Sequence, residues 1–207
     1  MYVDGQNLFR RALKGTPYLW LDVVRLCQEV LPRYEVVKVK YFTAAVRPTP
    51  HDPHAGERQR SYLRALTSDE RLSVHLGHFR RDVVRMPVHP WAHGADGHPI
   101  KVTVKRTIEK GSDVNLATHL LWDALGGEAD AYAVLSNDSD LAMPVRMLRE
   151  RGDIDVGVMF PSHEPARLLL ASSAWFRTIR PSALARSQFP ERVVLPGGEH
   201  AIKPQEW

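Results

Sequence analysis

Three short acidic motifs, each placed where a strand should end, constrain this chain more than any other feature. They are Val3-Asp4-Gly5-Gln6-Asn7, Lys110-Gly111-Ser112-Asp113-Val114-Asn115 and Leu135-Ser136-Asn137-Asp138-Ser139-Asp140. Strand-like runs alternate with helical patterns along the sequence, which predicts a mostly parallel sheet covered on both faces and joined by right-handed crossovers. In such a sheet the carboxyl ends of neighbouring strands open on one crevice, so the three motifs are expected side by side. Clustered Asp oxygens are hard donors suited to Mg²⁺ or Mn²⁺, and a site of that kind handles phosphate.

The element pattern behind that expectation comes from periodicity. Helical spacing predicts helices over residues 7–14 and 18–31, broken at Gly15-Thr16-Pro17, and again over 57–66, 114–125, 141–151 and 167–173. Apolar, β-branched runs predict strands over 36–42, 72–76, 131–135, 154–160 and 176–179. Residues 79–100 lose all periodicity and fill with Pro, Gly and His, which predicts a hairpin or mobile loop, with Val102, Val104 and Ile108 on a returning strand. Met1-Tyr2-Val3 is short for a central strand, so an upstream start is expected. The aromatics of the 175–176 stretch are expected in the core, and residues 190–207 form a Pro- and Gly-rich tail.

With 207 residues and 43% hydrophobic content, the chain suffices for one well-cored domain and a short appendage. Its formal charge of +4, with clusters at Arg10-Arg11, Arg80-Arg81 and between Arg177 and Arg186, favours an anionic polymer as partner, although solvated helix faces account for such charges as well. Cys27 is the only cysteine, which excludes an internal disulfide framework and a cysteine-based zinc site. No run is long and apolar enough for a bilayer and no signal-peptide pattern opens the chain, so a cytoplasmic protein without membrane attachment is expected.

Each acidic residue has two readings at this stage. Asp4, just before Gly5, is a ligand or an ordinary turn residue; Asn7 contacts a phosphate or metal-bound water, or caps a helix. Asp113 opens a helix, where a first-turn carboxylate complements the helix dipole. Ser136, Asp138 and Asp140 supply the company that favours a cation, since two carboxylates two residues apart can share one with a neighbouring Asp. Lys105, Arg106 and Lys110 hold a nucleic-acid backbone or protect an edge strand. Trp91 stacks on an unpaired base or packs beneath its own loop. The His residues at 75, 78, 89, 93 and 98 match no regular zinc spacing.

Taken in order, Val3-Asp4-Gly5-Gln6-Asn7, Glu109 to Thr118 and Val134 to Leu141 resemble the motifs of the NYN family, a branch of the PIN-like nuclease superfamily, over roughly residues 1–180. The remaining segment, 181–207, then reads as a C-terminal extension. The resemblance implies a three-layer α/β/α sandwich with a mostly parallel central sheet, and a divalent-metal-dependent endoribonuclease. By motif position, Asp4, Asp113 and Asp138 are the implied Mg²⁺ or Mn²⁺ ligands, Asp140 is a further acidic catalytic member, and Asn7 and Ser136 support them. RNA is the implied substrate, with Lys105, Arg106 and Lys110 contacting it, and a homodimer is permitted.

One position departs from the family pattern. His119 stands where many members have Asp, six residues and so about 120° around the helix from Asp113. It binds metal or phosphate beside the site, or pairs with Asp123 one turn on. Its presence keeps open a catalytically weak RNA-binding module as the alternative. A phosphatase or sugar transferase using Asp138 and Asp140 is disfavoured, because no Gly-rich nucleotide loop appears and Asp4 does not open an Asp-X-Asp.

Overall fold

A computed structural model describes residues 1–207. Seven strands form one sheet: β1 Tyr2–Asp4, β2 Val39–Ala44, β3 Leu72–Pro87, β4 Lys101–Lys110, β5 Ala131–Leu135, β6 Asp155–Phe160 and β7 Trp175–Thr178. Their order is β4-β3-β2-β1-β5-β6-β7, every pair parallel except β3 with β4. β1 spans three residues yet lies at the centre, with Val3 paired to Tyr41 on one side and Leu135 on the other. The chain leaves β1 toward β2 and later returns to β5 on its other side. That reversal puts the crevice of an open α/β sheet above β1 and β5.

Successive side chains of β1 point to opposite faces, and the two cores follow from that alternation. Val3 joins a core with α1 Gly5–Leu8, α2 Val23–Val30, α3 Ala55–Leu66 and α7 Pro181–Arg186. Tyr2 joins the other, with α4 Ser112–Gly126, α5 Ala142–Arg151 and α6 Arg167–Ser172. The result is a three-layer α/β/α sandwich with a mostly parallel central sheet.

Several local expectations are corrected. Residues 7–14 do not form one regular α-helix: α1 gives way to a π-helical turn, Phe9–Leu13. The next helix begins only at Val23, because the Asp22 carboxylate caps it by accepting from the Arg25 amide, while Leu21 bridges to Gln188. β3 runs to Pro87 rather than stopping near Leu76, so most of the expected loop is a long antiparallel ribbon with β4 and only 88–100 connect them. Its tip leaves Trp91 67% exposed, not packed under its own loop. Phe176 is 48% exposed rather than core, although Trp175 packs against the larger core.

The last residues fold back on the body. β8 Arg192–Val194 and β9 His200–Ile202 form a small hairpin, Ser61 Oγ donates to the Ile202 carbonyl, and Trp20 Nε1 donates to that of Pro190 at 2.7 Å. No helix is long and apolar enough to cross a membrane.

Candidate functional site

Asp4 ends β1 and is almost fully buried, at 4% exposure. The helix that follows it turns at Gly5, where a side chain would meet the Tyr41 ring at 2.5 Å, so only glycine fits. Both Asp4 oxygens have donors: Oδ1 accepts from the Asn7 amide at 2.9 Å and Oδ2 from Ser136 Oγ at 2.8 Å. Ser136 Oγ in turn accepts from the Asp138 amide at 3.0 Å, so one buried hydroxyl ties the end of β1 to the loop after β5. Asn7 Oδ1 makes a second tie by accepting from the Asn137 amide.

Asp138 then caps a 3-10 turn, Ser139–Leu141, its Oδ1 accepting from the Asp140 amide at 3.0 Å. Asp140 is exposed. Asp113 lies in the first turn of α4, a helix that packs against β1 and β2 and enters through Gly111 at φ 97°. Burial pushes the Asp113 carboxyl up to about 6, and the neighbouring charges of Asp4, Asp138, Glu109 and Asp140 push in the same direction. Burial likewise raises Asp4, against the lowering effect of its Asn7 and Ser136 hydrogen bonds. Burial first and the facing carboxylates second disfavour ionisation of Asp113, so a positive charge placed among them would be favoured.

Two residues inside the motifs carry roles that sequence reasoning did not assign. Glu109 Oε1 accepts from the Ser112 amide at 3.1 Å and from its hydroxyl at 2.7 Å, capping α4 and adding a carboxylate to the cluster. Asn137 donates through Nδ2 to Ser162 Oγ and the Glu164 carbonyl and accepts from the Ala166 amide, which fixes the loop after β6. The only available signal was position, Asn137 next to Asp138 and Glu109 four residues before Asp113.

The fit to a divalent metal lies in the donor set: carboxylates alone, mutually repelling, at the mouth of the crevice. As the side chains stand, no three His, Cys, Asp or Glu groups converge closely enough to hold an ion. Asp4 is pinned by its two donors.

His119 joins neither the acidic cluster nor Asp123 directly. Its Nδ1 lies 3.2 Å from Lys40 Nζ, and its ring packs 4.5 Å from that of His75. Lys40 takes Asp123 as its ion-pair partner at 2.5 Å, and Tyr2 donates to the same Asp123 oxygen. Burial drives Asp123 upward, but the Lys40 and Tyr2 hydrogen bonds outweigh it and leave the carboxyl below its usual range.

The expected trio of basic contacts also divides. Pairing of β3 with β4 puts Lys105 opposite Val83, on the ribbon face that carries Glu109, whereas Arg106 and Lys110 alternate onto the other face. A cavity of about 480 Å³ beside the site is lined by Gly5, Gln6, Phe9, Tyr41, Phe79 and Trp207 among others. A second cavity, of about 660 Å³, lies at the amino ends of the strands near Met1 and Lys38, where none of the acidic motifs reaches it.

A profile of the NYN domain matches residues 1–179. The chain belongs to the NYN domain family. Membership implies a nuclease-like function, in a family associated with RNA and with divalent metals. Over 237 residues the NYN chain is 29% identical to the 6-hydroxy-3-succinoylpyridine 3-monooxygenase HspA of Pseudomonas putida, covering 100% of this chain and 74% of that protein. A crystal structure of a Vibrio parahaemolyticus protein of unknown function shares the fold, with a TM-score of 0.52 at 19% identity over 86% of this chain and 90% of that one.

Proposed function

We propose that this NYN protein is a divalent-metal-dependent endoribonuclease. The carrying observation is the set of carboxylates around Asp113, whose proton affinity is raised to about 6 by burial and by Asp4, Asp138, Glu109 and Asp140. Asp4, Asp113 and Asp138 would hold one or two Mg²⁺ or Mn²⁺ ions. Bound there, the metal supplies charge to the scissile phosphate and acidity to a water. Ser136 keeps Asp4 and the Asp138 loop in register, and Asn7 does the same through Asn137. Asp140, at the exposed rim, repels a second phosphate and so favours one register of the backbone.

The test is cleavage of a labelled structured RNA in EDTA, Mg²⁺ and Mn²⁺ by the wild type and Asp138→Asn. Metal-dependent products that fall at least about a hundredfold in the variant support the proposal. RNA bound but intact in every metal replaces it with the binding-module reading, for which His119 is the sequence argument.

One observation favours a second reading. The cavity beside Asp4 is walled by Phe9, Tyr41, Phe79 and Trp207, a setting for a planar ring, and a relative's name specifies a pyridine derivative. Saturation-transfer NMR with a hydroxypyridine separates the two: binding lost in Phe79→Ala, without RNA cleavage by the wild type, selects the small heteroaromatic.

A further inference from the structure

The β3–β4 ribbon extends well beyond the sheet, because β2 pairs with β3 only from Leu72 to Gly77. Beyond that point the two strands have each other alone, and their side chains alternate between two faces on which charge is arranged differently. The rungs on one face are Arg81 with Thr107, Val83 with Lys105, Arg85 with Thr103, and Pro87 with Lys101. Each rung carries one cation, taken alternately from β3 and β4, and no carboxylate. All four cations are exposed, and none makes an ion pair or a side-chain hydrogen bond.

The other face is built differently. Its outer half is apolar, with Val84 opposite Val104 and Met86 opposite Val102, while its charges gather near the base, where Arg80 pairs with Asp82 at 2.8 Å and Arg106 and Lys110 lie on the neighbouring rungs. The contrast matters because generic solvation or edge protection requires charge on the ribbon but does not sort it into single file. Diagonal neighbours across an antiparallel pair sit about 7–8 Å apart, so the file runs for roughly 20 Å. Its spacing is close to that of successive phosphates in an extended strand, and the threonine hydroxyls between the cations add neutral donors.

The file also has a direction. The rung before Arg81 pairs Phe79 with Glu109, and Glu109 belongs to the carboxylate cluster at the head of α4. A polyanion lying along the four cations therefore leads into the acidic crevice, where the like charge of the carboxylates admits a phosphate only together with metal. One cation per rung matches one strand; a duplex presents two backbones to a ribbon that has a single basic file.

We infer that this face of the ribbon, through Arg81, Lys105, Arg85 and Lys101, is a track for the backbone of single-stranded RNA entering the acidic site. The inference rests on RNA being the substrate, as proposed above. The right-handed twist of a two-stranded ribbon curves the track, so the strand wraps it rather than lying flat.

The test is fluorescence anisotropy of a labelled oligouridylate with the full chain in EDTA, where binding is read without cleavage. Each single-strand phosphate contact contributes about 0.7 to the slope of log K against log salt, so Arg81→Gln with Lys105→Gln lowers that slope by about 1.4. Arg80→Gln, on the other face and already paired with Asp82, leaves it unchanged. A loss from Arg80→Gln as large as half that of the pair, or no loss from the pair, overturns the track, as does equal affinity for duplex and single strand. Cleavage by the wild type in Mg²⁺ or Mn²⁺ is scored separately. If it persists while the slopes do not separate, only the track fails; if the slopes separate without cleavage in any metal, only the nuclease proposal fails.

Discussion

Asp113 is where residue chemistry translates most directly into a measurable property. Its carboxyl is raised to about 6 by burial first and by four neighbouring carboxylates second. The folded state therefore holds the proton more tightly than the unfolded chain, whose carboxyl ionises near the ordinary 3.8. Between those values the folded state binds more protons, so metal-free stability falls as pH rises through the window from about 4 to about 6. Asp113→Asn lacks that penalty. In EDTA at pH 7 the variant should melt higher than wild type by about 1 kcal/mol, roughly 2–4 °C for a chain of this size, after allowance for solvent screening. The gap should close below pH 4. Melting curves that shift in parallel at both pH values would contradict the raised Asp113 carboxyl. Asp4 and Asp138 were legible as candidates because each follows an apolar strand, and Asp113 because it opens a strongly periodic helix. Glu109 and Asn137 were not, because a cap and a loop tie depend on which backbone amides fold back within reach, and spacing along the chain does not encode that.

Among elements, the ribbon was the least legible. A half-buried strand advertises itself by alternation, whereas β3 beyond Gly77 pairs with β4 alone and stays largely exposed, so its Arg, Val and Met residues carry no in–out code. The strands buried on both faces and the two helices that pack on them, α4 and α5, wrote their periodicity plainly. α7 escaped notice because six residues make too few turns to repeat. The base of the ribbon supplies its own prediction. A Cβ on Gly77 would lie 2.6 Å from Glu109 Oε1, 2.7 Å from Ser112 Oγ and 2.8 Å from the Lys110 carbonyl oxygen. The side-chain clashes can relax only by giving up the Glu109–Ser112 cap, and the carbonyl belongs to the backbone of β4. Gly77→Ala should therefore cost about 1–3 kcal/mol in thermal or urea unfolding and lower cleavage by displacing Glu109 and the head of α4. A variant that unfolds with the wild type would mean that the ribbon base is looser than this packing implies.

At the scale of the whole molecule, the C-terminal residues close a ring around the amino-terminal half. Trp207 lies edge-on to the buried Trp20 and to Tyr62, with ring centroids 6.2 and 5.7 Å away. Arg58 on α3 holds Asp52 through one nitrogen and Glu206 through the other, each at 2.5 Å, and Arg64 reaches Glu199. Arg58 is half-buried but Asp52, Glu206 and Glu199 keep access to solvent, so each ion pair contributes little and the aromatic contact should dominate the energy of this closure. Trp207 also lines the cavity that Gly5 and Gln6 bound immediately after Asp4, so loss of its ring acts on both stability and the wall of the crevice. Trp207→Ala should destabilise the protein by about 1–3 kcal/mol, because the half-buried ring gives up less than a fully buried tryptophan. The ion pairs set the control: Arg58→Gln should cost clearly less than Trp207→Ala at ordinary salt, and its effect should shrink further as salt is raised, while that of Trp207→Ala should not. Equal costs with the same salt dependence would shift the closure from the aromatic contact to the charges, and thermal melts of the two variants at low and high salt decide between them.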